Sequence, residues 1–247
     1  MRHIGVGRWM LLATFGLLSA ARAKDEIPIV LEEQLGHTWE SDLVHRRVEI
    51  PAGMKLMPDR ATLLLDGKPV PFQFDNLATN RDGSLTAADV WFRSDLPANG
   101  TRVLTLKSGK PAAETDLKAT REGGVLEIGN ARTAARLPLG PGAANGPLLG
   151  VRLASGKWTG AMQVRTDAAW ESLATEILAQ GPIFVRARTA CRFAGGGRYD
   201  VEVTLREGEP LVRVDERYEK AGAVVLDLGT GLEPTHFATK ADYRGNM

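Results

Sequence analysis

The sequence predicts an all-β protein: a small N-terminal β-barrel or sandwich followed by an antiparallel β-sandwich that is expected to be incomplete. Three observations carry this. Apolar and polar residues alternate with period two along several segments, which is the pattern of half-buried strands. Glycine and proline punctuate the 247 residues at short, regular intervals, as all-β sandwiches and barrels require. The single cysteine, Cys191, excludes an internal disulfide, so the fold must stand on its hydrophobic core.

The chain begins with an export signature. Arg2 and Arg8 precede an apolar run over residues 9–20, which ends in Ala21-Arg22-Ala23. Positive charge, a short apolar core and a small-x-small site together make a secretory signal, so residues 1–23 are expected to be removed. The run is too short for a membrane anchor, which needs roughly 20 apolar residues. The mature protein is therefore expected to be periplasmic or extracellular, with no membrane partner. Loss of Arg2, Arg8 and Arg22 leaves 28 basic against 30 acidic residues, a formal charge of −2. That balance lacks the basic footprint of a nucleic-acid binder.

The first β unit is expected over residues 24–110. Residues 27–32 read as a strand. Leu63 and Leu65, the dipeptide Asp66-Gly67, then Val70 and Phe72 read as a hairpin. Residues 88–92 form another strand. Asn99-Gly100 is a second hairpin signal before a strand at 103–106. The polar, breaker-rich segment 107–115 marks the boundary, and residues 111–247 form the second unit. There, 138–147 reads as a long loop. Residues 167–180 have helical propensity, yet a β neighbourhood overrides propensity. A strand is expected at 175–179, with 167–172 as connection. Val185, Ala187, Thr189, Cys191 and Phe193 share one strand face. After Gly195-Gly196-Gly197, Tyr199, Val201, Val203 and Leu205 share another. Glu207-Gly208-Glu209-Pro210 turns the chain into a third strand with Val212 and Val214. These read as an antiparallel meander, buried on one side.

Several of these segments resemble a known family. Leu65-Asp66-Gly67-Lys68-Pro69-Val70-Pro71-Phe72-Gln73 is similar to a hairpin that opens large secreted carbohydrate-active proteins. Asp82-Gly83-Ser84, Ala88-Asp89-Val90-Trp91-Phe92 and the stretch from Asp95 to Leu106 follow in the matching order. Leu126-Glu127-Ile128-Gly129-Asn130 and Gly181-Pro182-Ile183-Phe184-Val185-Arg186 resemble strands of the sandwich that comes next. The ensemble resembles the N-terminal barrel and central β-sandwich of the exo-rhamnogalacturonan lyase family. Members of that family are longer and carry a large helical domain beyond these two units. The resemblance therefore implies an accessory, carbohydrate-associated module without its parent's catalytic domain.

The residues themselves offer little chemistry. His37, His45 and His236 are scattered, with no metal-ligand spacing and no HExxH, CxxC or GxSxG. No catalytic residue, metal or cofactor is expected. Glu216 with Tyr218, or His236 with Tyr243, are candidates for the base and acid of uronate chemistry, but nothing in the spacing shows that they converge. Arg186, Arg188 and Arg192 share one strand face, where guanidinium groups can grip acidic sugars bidentately. The competing expectation is that they pair across strands with Asp200 and Glu202. Trp158, in Ser155-Gly156-Lys157-Trp158-Thr159-Gly160, is expected near a hairpin tip. There it either stacks on a sugar ring or folds back over the core. Trp39 and Trp91 are assigned to the core, and Cys191 is expected to be buried and inert. Asn99-Gly100-Thr101 fits a glycosylation sequon, but its turn role explains it. The expected function is an exported glycan-associated module that binds an acidic polysaccharide. An active lyase or hydrolase with a site between the two units, and a structural envelope protein, are the alternatives.

Overall fold

The computed structural model describes residues 25–112, 114–141, 146–219 and, for the backbone, 223–227. The expected signal segment 1–23, and His236 with Tyr243, lie outside the described residues. The described residues form eighteen strands and one 3-10 turn, with no α-helix. None of their elements is a helix long and apolar enough to cross a membrane.

The first seven strands are β1 (Glu26–Glu32), β2 (Trp39–Glu49), β3 (Ala61–Leu65), β4 (Lys68–Val70), β5 (Phe72–Thr79), β6 (Leu85–Leu96) and β7 (Thr101–Ser108). They make two antiparallel sheets, in the orders β1-β7-β3-β4 and β2-β6-β5. Period-two alternation explains why the sheets stack. Ile27, Ile29 and Leu31 of β1 join Leu63, Leu104 and Leu106 on one inner face. Val48, Phe72, Leu85, Val90 and Phe92 line the other, and all belong to one buried cluster. Two sheets that each hide one apolar face need no disulfide to hold them.

The turns follow local chemistry. Asp66 and Gly67 both have positive φ, 51° and 76°, and join β3 to β4 through a two-residue turn that pairs Leu65 with Lys68. Positive φ at both positions is what the Asp-Gly pair supplies cheaply. The Asp82 carboxylate accepts from the Ser84 backbone N–H at 3.1 Å and closes the β5–β6 turn. The Asn99-Gly100 expectation needs correction. The turn forms, with Asn99 at φ 52° and the Gly100 N–H on the Pro97 carbonyl. It is not a hairpin, because β7 pairs with β1 and β3 rather than with β6. The turn carries the chain from one sheet to the other.

The later strands are β8 (Lys118–Glu122), β9 (Val125–Gly129), β10 (Ala134–Pro138), β11 (Gly150–Arg152), β12 (Trp158–Thr159) and β13 (Ala161–Arg165). They are followed by β14 (Trp170–Gln180), β15 (Phe184–Phe193), β16 (Gly197–Arg206), β17 (Val212–Glu219) and β18 (Ala223–Asp227). A five-stranded sheet, β12-β11-β10-β9-β8, faces a four-stranded meander, β14-β15-β16-β17, while β13 pairs with β18. Leu126, Ile128, Ala135 and Leu137 meet Val185, Ala187, Cys191 and Phe193, with Tyr199, Val201, Val203 and Leu205 on the next strand. This second core shares no member with the first. The 167–180 segment is strand from Trp170 onward, so residues 170–172 belong to β14 rather than to a connection. Pairing along β15 outweighs the helical propensity of its Ala, Glu and Leu residues.

The two sandwiches touch along the outer face of β5 and β6. The Gln73 side-chain oxygen accepts from the backbone N–H groups of Ile183 at 3.2 Å and Phe184 at 2.9 Å. Trp91 meets Phe184 edge-on, ring centroids 5.6 Å apart. Arg93 reaches Glu209 at 2.8 Å and Arg186 reaches Asp75 at 3.0 Å across the same seam. A Cβ on Gly181 would lie 2.6 Å from the Gln73 side chain, so glycine leaves the room in which that side chain reaches the Ile183 and Phe184 N–H groups.

Candidate functional site

The three arginines of β15 do lie on one face, and that face is already neutralised. Arg186 pairs with Asp75 and with Glu202 at 3.3 Å, and its guanidinium sits over Phe184. Arg188 pairs with Glu176 on β14. Arg192 donates to Asp200 at 2.7 Å and to the Cys191 carbonyl. Arg198 also binds Asp200. Burial pushes the Asp200 carboxyl up, but hydrogen bonds from Arg198 and Arg192 outweigh it and hold the group below its ordinary value. A uronate gripped here must first displace a protein carboxylate. The residual space, about 370 Å³, is lined by alternating arginine and acid.

Trp158 opens β12 directly after a turn in which the Leu153 N–H donates to the Lys157 carbonyl. Its half-buried ring lies on the outer face of the five-stranded sheet rather than in the core. The Arg136 guanidinium sits 3.8 Å from the ring centroid. Arg136 is in turn held by Glu127 at 2.9 Å. Strand register puts Arg136 opposite Gly150, which leaves room for the indole to lie flat across the sheet. Two clefts open on the same sheet and share Thr120 and Glu127 as lining. One, about 500 Å³, adds Lys118, Asn130 and Arg152; the other, about 230 Å³, adds Glu122 and Arg136. Among the described residues no carboxylate lies in ion-pair reach of Lys118. Arg136 was not singled out by sequence. Its period-two place outside Ala135 and Leu137 was the available signal, but strand pairing was needed to put it under the indole.

The core assignments of Trp39 and Trp91 are corrected. Trp39 is 37% exposed, at the start of the edge strand β2. Its Nε1 points at Glu33 Oε1, 3.5 Å away, and its ring meets His37 edge-on. Trp91 lies on the outer face of β6, stacked on His45 with centroids 4.5 Å apart. Adjacent pairs on β2 and β6 carry both residues to this face, since His45 is opposite Trp91 and Arg47 opposite Asp89. Asp89 accepts from Asn76 at 2.6 Å and contacts His45 at 3.4 Å and Arg47 at 3.4 Å. Burial raises the Asp89 carboxyl, and these three partners more than reverse it. Asn76 sits at φ 46° within a bulge of β5, so a strained backbone aims its amide at Asp89.

The remaining expected chemistry is inert or occupied. Cys191 is fully buried, and desolvation pushes its thiol up to about 12. Glu216 accepts the Tyr199 hydroxyl at 2.9 Å, while Tyr218 stands exposed beside it. Among the described residues no three His, Cys, Asp or Glu side chains are grouped to hold a metal ion.

No protein-family model matches the chain, and no curated protein matches it significantly.

Proposed function

We propose that the protein is an exported, glycan-associated β module that binds an acidic polysaccharide on the outer face of the β8–β12 sheet. The observation that carries this is the Trp158 indole stacked on Arg136, which in turn lines an open cleft on the same face. A flat aromatic face packs against the C–H face of a pyranose. Arg152 and Lys118, the latter unpaired among the described residues, line the larger cleft beside Asp116 and Glu127 and are the groups there that can donate to a ligand carboxylate. The resemblance to accessory domains of a polysaccharide lyase supports the same ligand class, as fold analogy does and no further. Affinity electrophoresis in polygalacturonate tests the reading. Retarded migration that is lost in Trp158→Ala supports it. Equal migration with and without the polymer refutes it.

A second reading has its own observation. His45, oriented by Asp89 and stacked on Trp91 beside the seam, is placed as a general acid or base would be. In that reading the chain is a lyase or hydrolase with its site between the two units. Release of unsaturated uronate absorbance by wild type but not by His45→Ala would establish it over the first.

A further inference from the structure

The open end of the first sandwich, between β1 and β2, holds a groove of about 630 Å³. That volume is within the roughly 300–1,000 Å³ of small-ligand sites. Its floor is apolar, with Leu31, Val44 and Leu96 continuing the core outward. Its rim carries Trp39 and Leu35, the latter 82% exposed. Both are large apolar groups left in water at one spot.

The indole is held in place. Buried Glu33 accepts backbone N–H groups from Asn99 at 2.8 Å, Leu35 at 2.8 Å and Gly36 at 2.9 Å, and Trp39 Nε1 points at the same carboxylate. The Asn99 N–H leads these donors in lowering its carboxyl to about 2, so it is charged at any physiological pH. A rigid aromatic ring loses little entropy when a ligand lands on it.

The polar groups around the ring differ from those on β15. Glu32, Asp42 and Arg46 all line the groove. Among the described residues none of their side chains has a hydrogen bond or an ion pair. Asp42 and Arg46 share the parity of Val44 and Val48, whose side chains join the core, so they flank the groove mouth on the side facing β1. Two unspent carboxylates accept hydroxyl donors, and one unspent guanidinium donates. A neutral pyranose offers both, with an apolar C–H face for the indole. A uronate would be repelled by the net negative rim.

We infer that the β1–β2 groove is a second sugar site, taking a neutral pyranose unit stacked on Trp39 with its hydroxyls on Asp42, Glu32 and Arg46. The inference extends the glycan reading and rests on it for the ligand class alone. The test is fluorine NMR of the whole protein labelled with 5-fluorotryptophan, its resonances assigned by single Trp→Phe variants. The probes are cellotetraose, galactotetraose and xylotetraose, with oligogalacturonate in a separate titration. The expected result is that at least one neutral sugar moves the Trp39 resonance and leaves Trp158 in place. Asp42→Asn then weakens that sugar about fivefold or more, as loss of a charge-assisted hydrogen bond does. The inference is overturned if no neutral probe moves Trp39, or if Asp42→Asn binds as wild type does. Movement of Trp158 alone, by oligogalacturonate, overturns it while the acidic-glycan reading stands. Movement of Trp39 alone upholds it and removes the β8–β12 face. No movement at either indole removes both.

Discussion

The outer face of β14–β17 and the groove between β1 and β2 both carry exposed charge, yet they are physically opposite. On the first, Arg186, Arg188, Arg192 and Arg198 each have a protein carboxylate within reach. The charges are spent on one another, and the face is a cross-strand lattice that pins the register of the meander. In the groove, among the described residues, Glu32, Asp42 and Arg46 are unspent, while the buried Glu33 is saturated by backbone N–H groups. The difference teaches that a row of like charges read from alternation is not a site until its partners are known. Readiness for a ligand is a property of what remains unpaired.

Four substitutions sharpen or break this contrast. Asp200→Asn should have the largest effect on stability. It removes the charge that holds two guanidinium groups against a nearly buried position, and should cost about 1–3 kcal/mol in urea unfolding. A change within error would show that the lattice is ornamental. Glu33→Gln comes next and is read through pH. The unfolded carboxyl titrates near 4.5 and the folded one at about 2, so the unfolded state takes up its proton first as pH falls. The charged, folded form is therefore favoured above pH 4.5, and that stability is lost as pH falls from 4.5 to 2. Thermal melts across this window should show a steeper decline for wild type than for Glu33→Gln; parallel curves would contradict the assignment. Asp42→Asn and Arg46→Gln should have the smallest effect, within about 0.5 kcal/mol of wild type, because neither side chain has a hydrogen bond or ion pair among the described residues. A clear loss of stability would show that these groups are not free.

How much of this was legible beforehand follows the same contrast. The meander was readable because central strands buried on one side must alternate, and Tyr199, Val201, Val203 and Leu205 are indeed fully buried. β2 was not read as a strand. It is an edge strand whose residues are mostly exposed, so Trp39-Glu40-Ser41-Asp42 carries no period that burial would impose. The same blindness sent Trp39 to the core: an isolated indole suggests burial, and only pairing with β6 shows it at an open edge. Glu40 and Asp42, which follow it, were the signal for exposure. The seam was half visible. Gln73 and Gly181-Pro182-Ile183-Phe184 stood out as motifs, but nothing in their spacing placed one against the other. For the arginines, both readings were open from alternation alone, since grip and lattice use the same strand face.

The most direct test of the central claim compares the two kinds of face on one ligand. Isothermal titration with oligogalacturonate should show affinity reduced about tenfold or more in Trp158→Ala, as hot-spot aromatics give. The double variant Arg188→Gln, Arg192→Gln should bind as wild type does. Loss of binding in the arginine variant with retention in Trp158→Ala would contradict the account and return the site to the β15 face.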